Sequence, residues 1–276
     1  MSRRHYSIFI AASVLFSCIN TAHAIPVLQI GAPGEVPGTF APYVNEENPT
    51  EDDTAIINGN NILVGGAYKD STNTNVINLG GKFGDIDWSD FKANLGVPTA
   101  FTGHGAVLLA TYSEDDKSQT STSLTISLDG GSNYLAPFLS ASTFFYPNNH
   151  APLQDASVTG YFYFDIGNFS EILAAVPNFD STDPDQTTFP GEIKSIRLDV
   201  SGINWVHFDV MAIEVTEQGD NNIKTTFDMV NNPGSHDVTW KDDGGGGGGD
   251  PVPEPGTLLL LGAGLAVLGG LKKFRK

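Results

Sequence analysis

Two short segments gather carboxylates where chemistry could use them. Asp180-Ser181-Thr182-Asp183-Pro184-Asp185 and Asp85-Ile86-Asp87-Trp88-Ser89-Asp90 hold three aspartates each. Hard oxygen ligands on loops suit Ca2+, so Asp180, Asp183 and Asp185 are the candidate calcium ligands, and calcium is the candidate cofactor. Neither segment has the glycine and distal glutamate of an EF-hand, and Pro184 constrains its loop. His104, His150, His207 and His236 are scattered, without the His-Glu-x-x-His spacing that puts two imidazoles on one helix face. They read as surface or hydrogen-bonding histidines. His207 and Asp209 stand two apart on a predicted strand and so share a face. With Val206, Phe208 and Val210 turned to the core, that face is expected to be the solvated one.

No catalytic residue can be named. Gly-x-Ser-x-Gly and the phosphate-cradling Gly-x-x-x-x-Gly-Lys-Ser/Thr loop are both missing. The single cysteine, Cys18, lies in a segment expected to be removed, which takes thiol chemistry away from the mature chain. A carboxylate pair in a β-sandwich cleft can hydrolyse glycosides without any local motif, so a glycan-active hydrolase stands as the alternative to a noncatalytic protein. Trp88, Trp205, Trp240, Tyr161 and Tyr163 suit a sugar-stacking platform and core packing equally well.

The elements that would carry these side chains are strands. Ser195 to Val200 and Trp205 to Val210 alternate apolar and polar residues with the period of a half-buried strand. Ile62 to Tyr68, Ala106 to Tyr112, Ser123 to Leu128, Ser157 to Ile166 and Ile223 to Val230 are further strands. Turn-forming clusters such as Asn58-Gly59-Asn60-Asn61 and Asp129-Gly130-Gly131-Ser132-Asn133 separate them. Only Ile86 to Leu95, with Asp85 or Asp87 as cap, and Phe169 to Val176 read as helices. The expected fold is mainly β, a β-sandwich with a jelly roll among its forms, spanning residues 25–241.

Both ends read as addresses. Arg3-Arg4, an apolar run from Ile8 to Ile19 and Ala22-His23-Ala24 make residues 1–24 a secretory signal peptide, cut after Ala24 by signal peptidase. Acylation at Cys18 is the competing processing route. Residues 242–251, with six glycines from Gly244 to Gly249, form a flexible linker. Beyond it, Gly256 to Leu271 carries no charge, and as a helix it would extend about 24 Å, short of the ~30 Å hydrocarbon core of a membrane. The basic cluster Lys272 to Lys276 would stay cytoplasmic, leaving the domain outside. This single helix is expected to lie outside the domain, in the inner membrane before processing.

The net charge is −18, from 14 basic and 32 acidic residues. Six of the basic residues belong to the two ends, which leaves eight against 31 acidic residues between Ile25 and Pro251. Such a surface repels phosphate backbones and excludes nucleic acid as a partner.

Val252-Pro253-Glu254-Pro255, the apolar helix and the basic terminus resemble the PEP-CTERM sorting signal of Gram-negative bacteria. The resemblance covers residues 252–276. It implies recognition by an exosortase, which cuts near Pro253-Glu254-Pro255, and display at the surface or beyond it, with exopolysaccharide as an associated partner. Within the domain, Ala24 to Ile30, Val206-His207-Phe208-Asp209 and Pro233-Gly234-Ser235-His236-Asp237 resemble the choice-of-anchor N proteins. That family has no established activity, so this resemblance implies location and not mechanism.

Overall fold

The computed structural model describes residues 25–71, 73–95, 101, 103–114, 121–180, 187–219 and 222–242. The expected signal peptide, the linker glycines and the C-terminal apolar segment lie outside them. Among the described residues no helix is long and apolar enough to cross a membrane.

The chain runs through β1 (Leu28–Gly31), β2 (Tyr43–Glu47), β3 (Thr50–Ile57), β4 (Asn61–Ala67), β5 (Asp70–Ser71), β6 (Thr74–Gly80), β7 (Lys82–Phe83) and β8 (Ile86–Asp87) into the helix α1 (Trp88–Leu95). There follow β9 (Ala106–Glu114), β10 (Ser123–Ser127), β11 (Leu139–Ala141), β12 (Gly160–Gly167) and β13 (Ala174–Val176). The last four are β14 (Phe189–Ser201), β15 (Ile203–Gln218), β16 (Lys224–Asn231) and β17 (Asp237–Lys241). The mainly-β expectation holds.

One sheet has the order β1-β4-β14-β10, with β13 alongside β14. The other has the order β11-β12-β9-β15-β17-β3-β2, and β15 is its spine. The first half of β15 pairs with β9 and β17, and its second half with β6 and β16. These pairings are antiparallel, whereas β17 lies parallel to β3.

Alternation along the strands builds the core. Leu28, Ile30, Ile62, Val64, Ile126 and Ile196 of the first sheet meet Leu108, Phe162, Phe164, Val206, Phe208 and Val210 of the second. The opposite face of the second sheet is also covered. Val107, Leu109, Tyr161, Tyr163, Met211 and Ile213 pack under Trp88, Phe101, Phe145, Tyr146 and Leu153. Phe101 meets Phe145 edge-on at 4.6 Å between centroids, and Phe145 stacks on Tyr163 at 4.9 Å. The second sheet is therefore the middle of three layers, and its outer cover comes from α1, from Phe101 ahead of β9 and from the connection between β11 and β12.

α1 begins where the capping chemistry places it. The Asp87 carboxylate accepts from Ser89 N at 2.7 Å, and Asp90 reaches back to accept from Asp87 N at 2.9 Å, a reciprocal cap. The second helix expected, Phe169 to Val176, does not form. Phe169 instead bridges to Leu79 and its carbonyl accepts from the Tyr68 hydroxyl at 2.8 Å, while β13 pairs with β14. Sheet pairing satisfies this backbone in place of a helix, and Ile172 and Leu173 stay exposed.

Candidate functional site

The aromatic residues weighed as a sugar platform are mostly core. Trp88, Trp205, Tyr161 and Tyr163 are buried and Trp240 is half-buried. The Trp88 indole donates to Gly105 O at 3.0 Å, so its polar edge is also committed inward.

The candidate calcium segments are described only in part. Asp180 is exposed, and its backbone N donates to Asn178 Oδ1 at 3.0 Å, while Asp183 and Asp185 lie outside the described residues. In the other segment, Asp87 and Asp90 are used in capping α1.

His207 and Asp209 require a correction. They point away from Val206, Phe208 and Val210, as alternation requires, but they are not solvated: both are 0 % exposed. The residues of β17 paired with this part of β15 share its face, so Thr239, opposite His207, and Asp237, at the start of β17, join them. From β3 come Glu51 and Thr54, three residues apart yet both buried and both in contact with Thr239. Asp53 lies between them with φ at 59°, and this left-handed residue breaks the alternation so that both side chains face the same way. The connection between β11 and β12 then lays His150 over the group.

Within this pocket His207 Nε2 lies 3.3 Å from His150 Nε2 and 3.1 Å from Asp209 Oδ2. His150 Nε2 is 3.2 Å from Asp209 Oδ1 and 3.7 Å from Asp237 Oδ2. One ligand-capable atom from each of these four residues lies within 4.8 Å of all the others. The surrounding bonds hold them in place. Asn232 donates through Nδ2 to Asp209 Oδ1 at 3.0 Å, and its own Oδ1 accepts from the Tyr146 hydroxyl at 2.7 Å and from Val210 N at 2.7 Å. The Thr239 hydroxyl donates to Glu51 Oε2 at 2.6 Å, and His207 Nδ1 contacts that same hydroxyl at 3.1 Å and lies 2.8 Å from Glu51 Oε1.

The electrostatics follow from crowding charge where water is excluded. Burial opposes charge on His207, but Glu51, Asp209 and Asp237 outweigh it and hold its imidazole well above the usual histidine range. Burial likewise works to raise Asp209, yet His207 and His150 hold it below the usual carboxylate range. Asp237 goes the other way: burial, with help from the nearby Glu51 and Asp209, pushes it well above the usual range against the opposing pull of His207. Burial, reinforced by Asp209, also pushes the Tyr146 phenol up. Such a group can share protons internally or hold a cation.

Sequence reasoning singled out His207 and Asp209 and passed over His150, Asp237 and Glu51 as site residues. The His-x-Asp spacing was the only local signal. His150 lies 57 residues from His207, Glu51 lies 188 from Thr239, and Asp237 stands on another strand, so only folding brings them together.

The processing residues Ala22, Ala24, Val252, Pro253, Glu254 and Pro255 lie outside the described residues. The last four fall within residues 251–276, which match a family described as the PEP-CTERM protein-sorting motif. No curated protein and no solved structure matches the chain. Residues 251–276 thus carry a PEP-CTERM sorting motif, which marks the chain for export to the cell surface or beyond and for sorting by an exosortase.

Proposed function

We propose that the chain is a noncatalytic envelope or extracellular-matrix protein, whose β domain is displayed on the glycine linker and contacts exopolysaccharide. The observation that carries this reading is the sorting motif at residues 251–276. The burial of His207, Asp209 and Asp237 supports a noncatalytic role, because a polymer could not reach them. In this reading residues 1–24 leave with signal peptidase, residues 25–241 are the working domain, and the apolar stretch 256–271 holds the inner membrane only until the exosortase cuts. The domain itself is proposed to be of the choice-of-anchor N kind. Two segments that support this, Val206 to Asp209 and Pro233 to Asp237, supply three members of the buried cluster.

The test is a glycan array together with release of reducing sugars from the glycans that bind. Binding without turnover is expected. Turnover that disappears on replacing one carboxylate would overturn the noncatalytic reading in favour of a hydrolase. Mass spectrometry of the C-terminal peptide from native material is expected to end near Pro253-Glu254-Pro255, and a peptide retaining Lys276 would overturn the transient anchor.

A further inference from the structure

The two imidazoles of the buried cluster are held in one tautomer by their outer partners. The single Thr239 proton is committed to Glu51 Oε2, so the Thr239 oxygen must accept, and His207 Nδ1 is the donor. His150 Nδ1 faces the Asn148 carbonyl at 3.4 Å, which can also only accept. When the rings are neutral, both Nε2 atoms therefore carry lone pairs, and these confront each other at 3.3 Å.

The oxygens show the same convergence. Asp209 Oδ2 sits 3.1 Å from His207 Nε2 but outside hydrogen-bond geometry, and it has no hydrogen-bond partner among the described residues. Both oxygens of Asp237 are also buried with no N–H or O–H donor set against them there, the Glu51 carboxyl being the one group close enough to share a proton. Atoms that come close without pointing at one another are arranged like ligands aimed at a common centre.

We propose that His150 Nε2, His207 Nε2, Asp209 Oδ2 and an oxygen of Asp237 form a closed, four-ligand structural site for a divalent transition-metal ion, with zinc the best match. Four nitrogen and oxygen ligands about 2.0–2.2 Å from a tetrahedral zinc lie about 3.3–3.6 Å from one another. Three of the six separations, at 3.1, 3.3 and 3.7 Å, bracket that spacing, and one ligand atom from each residue lies within 4.8 Å of all the others, so an ion would draw the wider pairs together. Two imidazoles in the set disfavour calcium and magnesium, which take oxygen ligands. The outer partners are those that metal sites use: Thr239 and Glu51 set the His207 ring, and Asn232 holds Asp209 by its other oxygen. A dication also offsets the excess of three carboxyl groups over two imidazoles in a buried volume. The ion would tie the β11–β12 connection, β15 and β17 together. His150, 14 % exposed, is the side from which it would enter.

The test uses the full chain, purified in mild detergent, stripped with a strong chelator and titrated with zinc sulfate at neutral pH against a chromogenic competitor. One zinc per chain, a melting temperature that rises with zinc, and visible absorption of four-coordinate intensity with Co2+ are expected. His150→Ala, which removes the ligand nearest the surface, should weaken zinc at least about a hundredfold, and Glu51→Gln about 10- to 100-fold as an outer partner. Asp237→Asn, nearly isosteric, serves as the second ligand variant if His150→Ala does not fold. Absence of one-to-one binding by the native chain, or unchanged affinity in a folded ligand variant, overturns the proposal. Neither result bears on glycan contact, so the two readings fail separately.

Discussion

Asp129 is exposed, yet its carboxylate is committed. It accepts from the backbone N of Ser132 and of Asn133 at 3.0 Å each, and from the Ser127 hydroxyl at 2.6 Å. These donors, the Ser127 hydroxyl foremost and then Asn133, stabilise the charged form and hold its pKa below the ordinary 3.8. A depressed carboxylate contributes stability that is complete above its ordinary value and is lost as pH falls toward its folded value. Asp129→Asn is therefore expected to lower the melting temperature at neutral pH and to flatten its fall below about pH 4. Melting curves from pH 7 to pH 2 for both proteins check this, and parallel curves would remove Asp129 as a source of acid sensitivity. The turn itself was legible in Asp129-Gly130-Gly131-Ser132-Asn133, with Gly130 and Gly131 at positive φ. The contrast with Asp209 lies in surroundings: the residue type is the same, but three layers of chain exclude water from Asp209.

At the scale of elements, local signals did well where local bonds decide. The start of α1 was readable to within two residues: of the two candidate caps Asp87 is the one used, and the helix begins at Trp88 and not at Ile86, because Ile86 and Asp87 pair as β8. Asp87→Ala should cost about 0.5–2 kcal/mol of stability by urea unfolding, and Asp87→Asn only part of that. No loss on Asp87→Ala would mean that α1 is held by Trp88 packing alone. Strands with clean alternation, such as β14 and β15, were also readable, although β15 runs eight residues beyond Val210 because β6 and β16 pair its far half. Residues 169–176 were misread because their apolar spacing fits a helix, whereas Tyr68 and β14 supply their backbone partners. The role of β3 was hidden, since Thr50 to Ile57 begins with a polar, acidic tract and its alternation is broken at Asp53.

For the whole molecule, the outer layer over the second sheet converts a polar stripe into a buried centre. Phe145 fastens that layer: it stacks on Tyr163, meets Phe101 edge-on, and its backbone N donates to the Tyr163 hydroxyl at 3.0 Å. Phe145→Ala is expected to destabilise the fold by about 3–5 kcal/mol and to speed amide exchange in residues 146–153 more than in the first sheet. Uniform exchange across both sheets would show that the cover is not a separable layer. The sequence alone determined the address and the fold class, because sorting signals, charge and strand periodicity are read from contiguous residues. It also determined which face of β15 carries His207 and Asp209, since side chains alternate. Only the tertiary structure decided that this face is buried and that Glu51, His150 and Asp237 meet there, because burial depends on what distant chain covers a strand, and no local pattern encodes that cover.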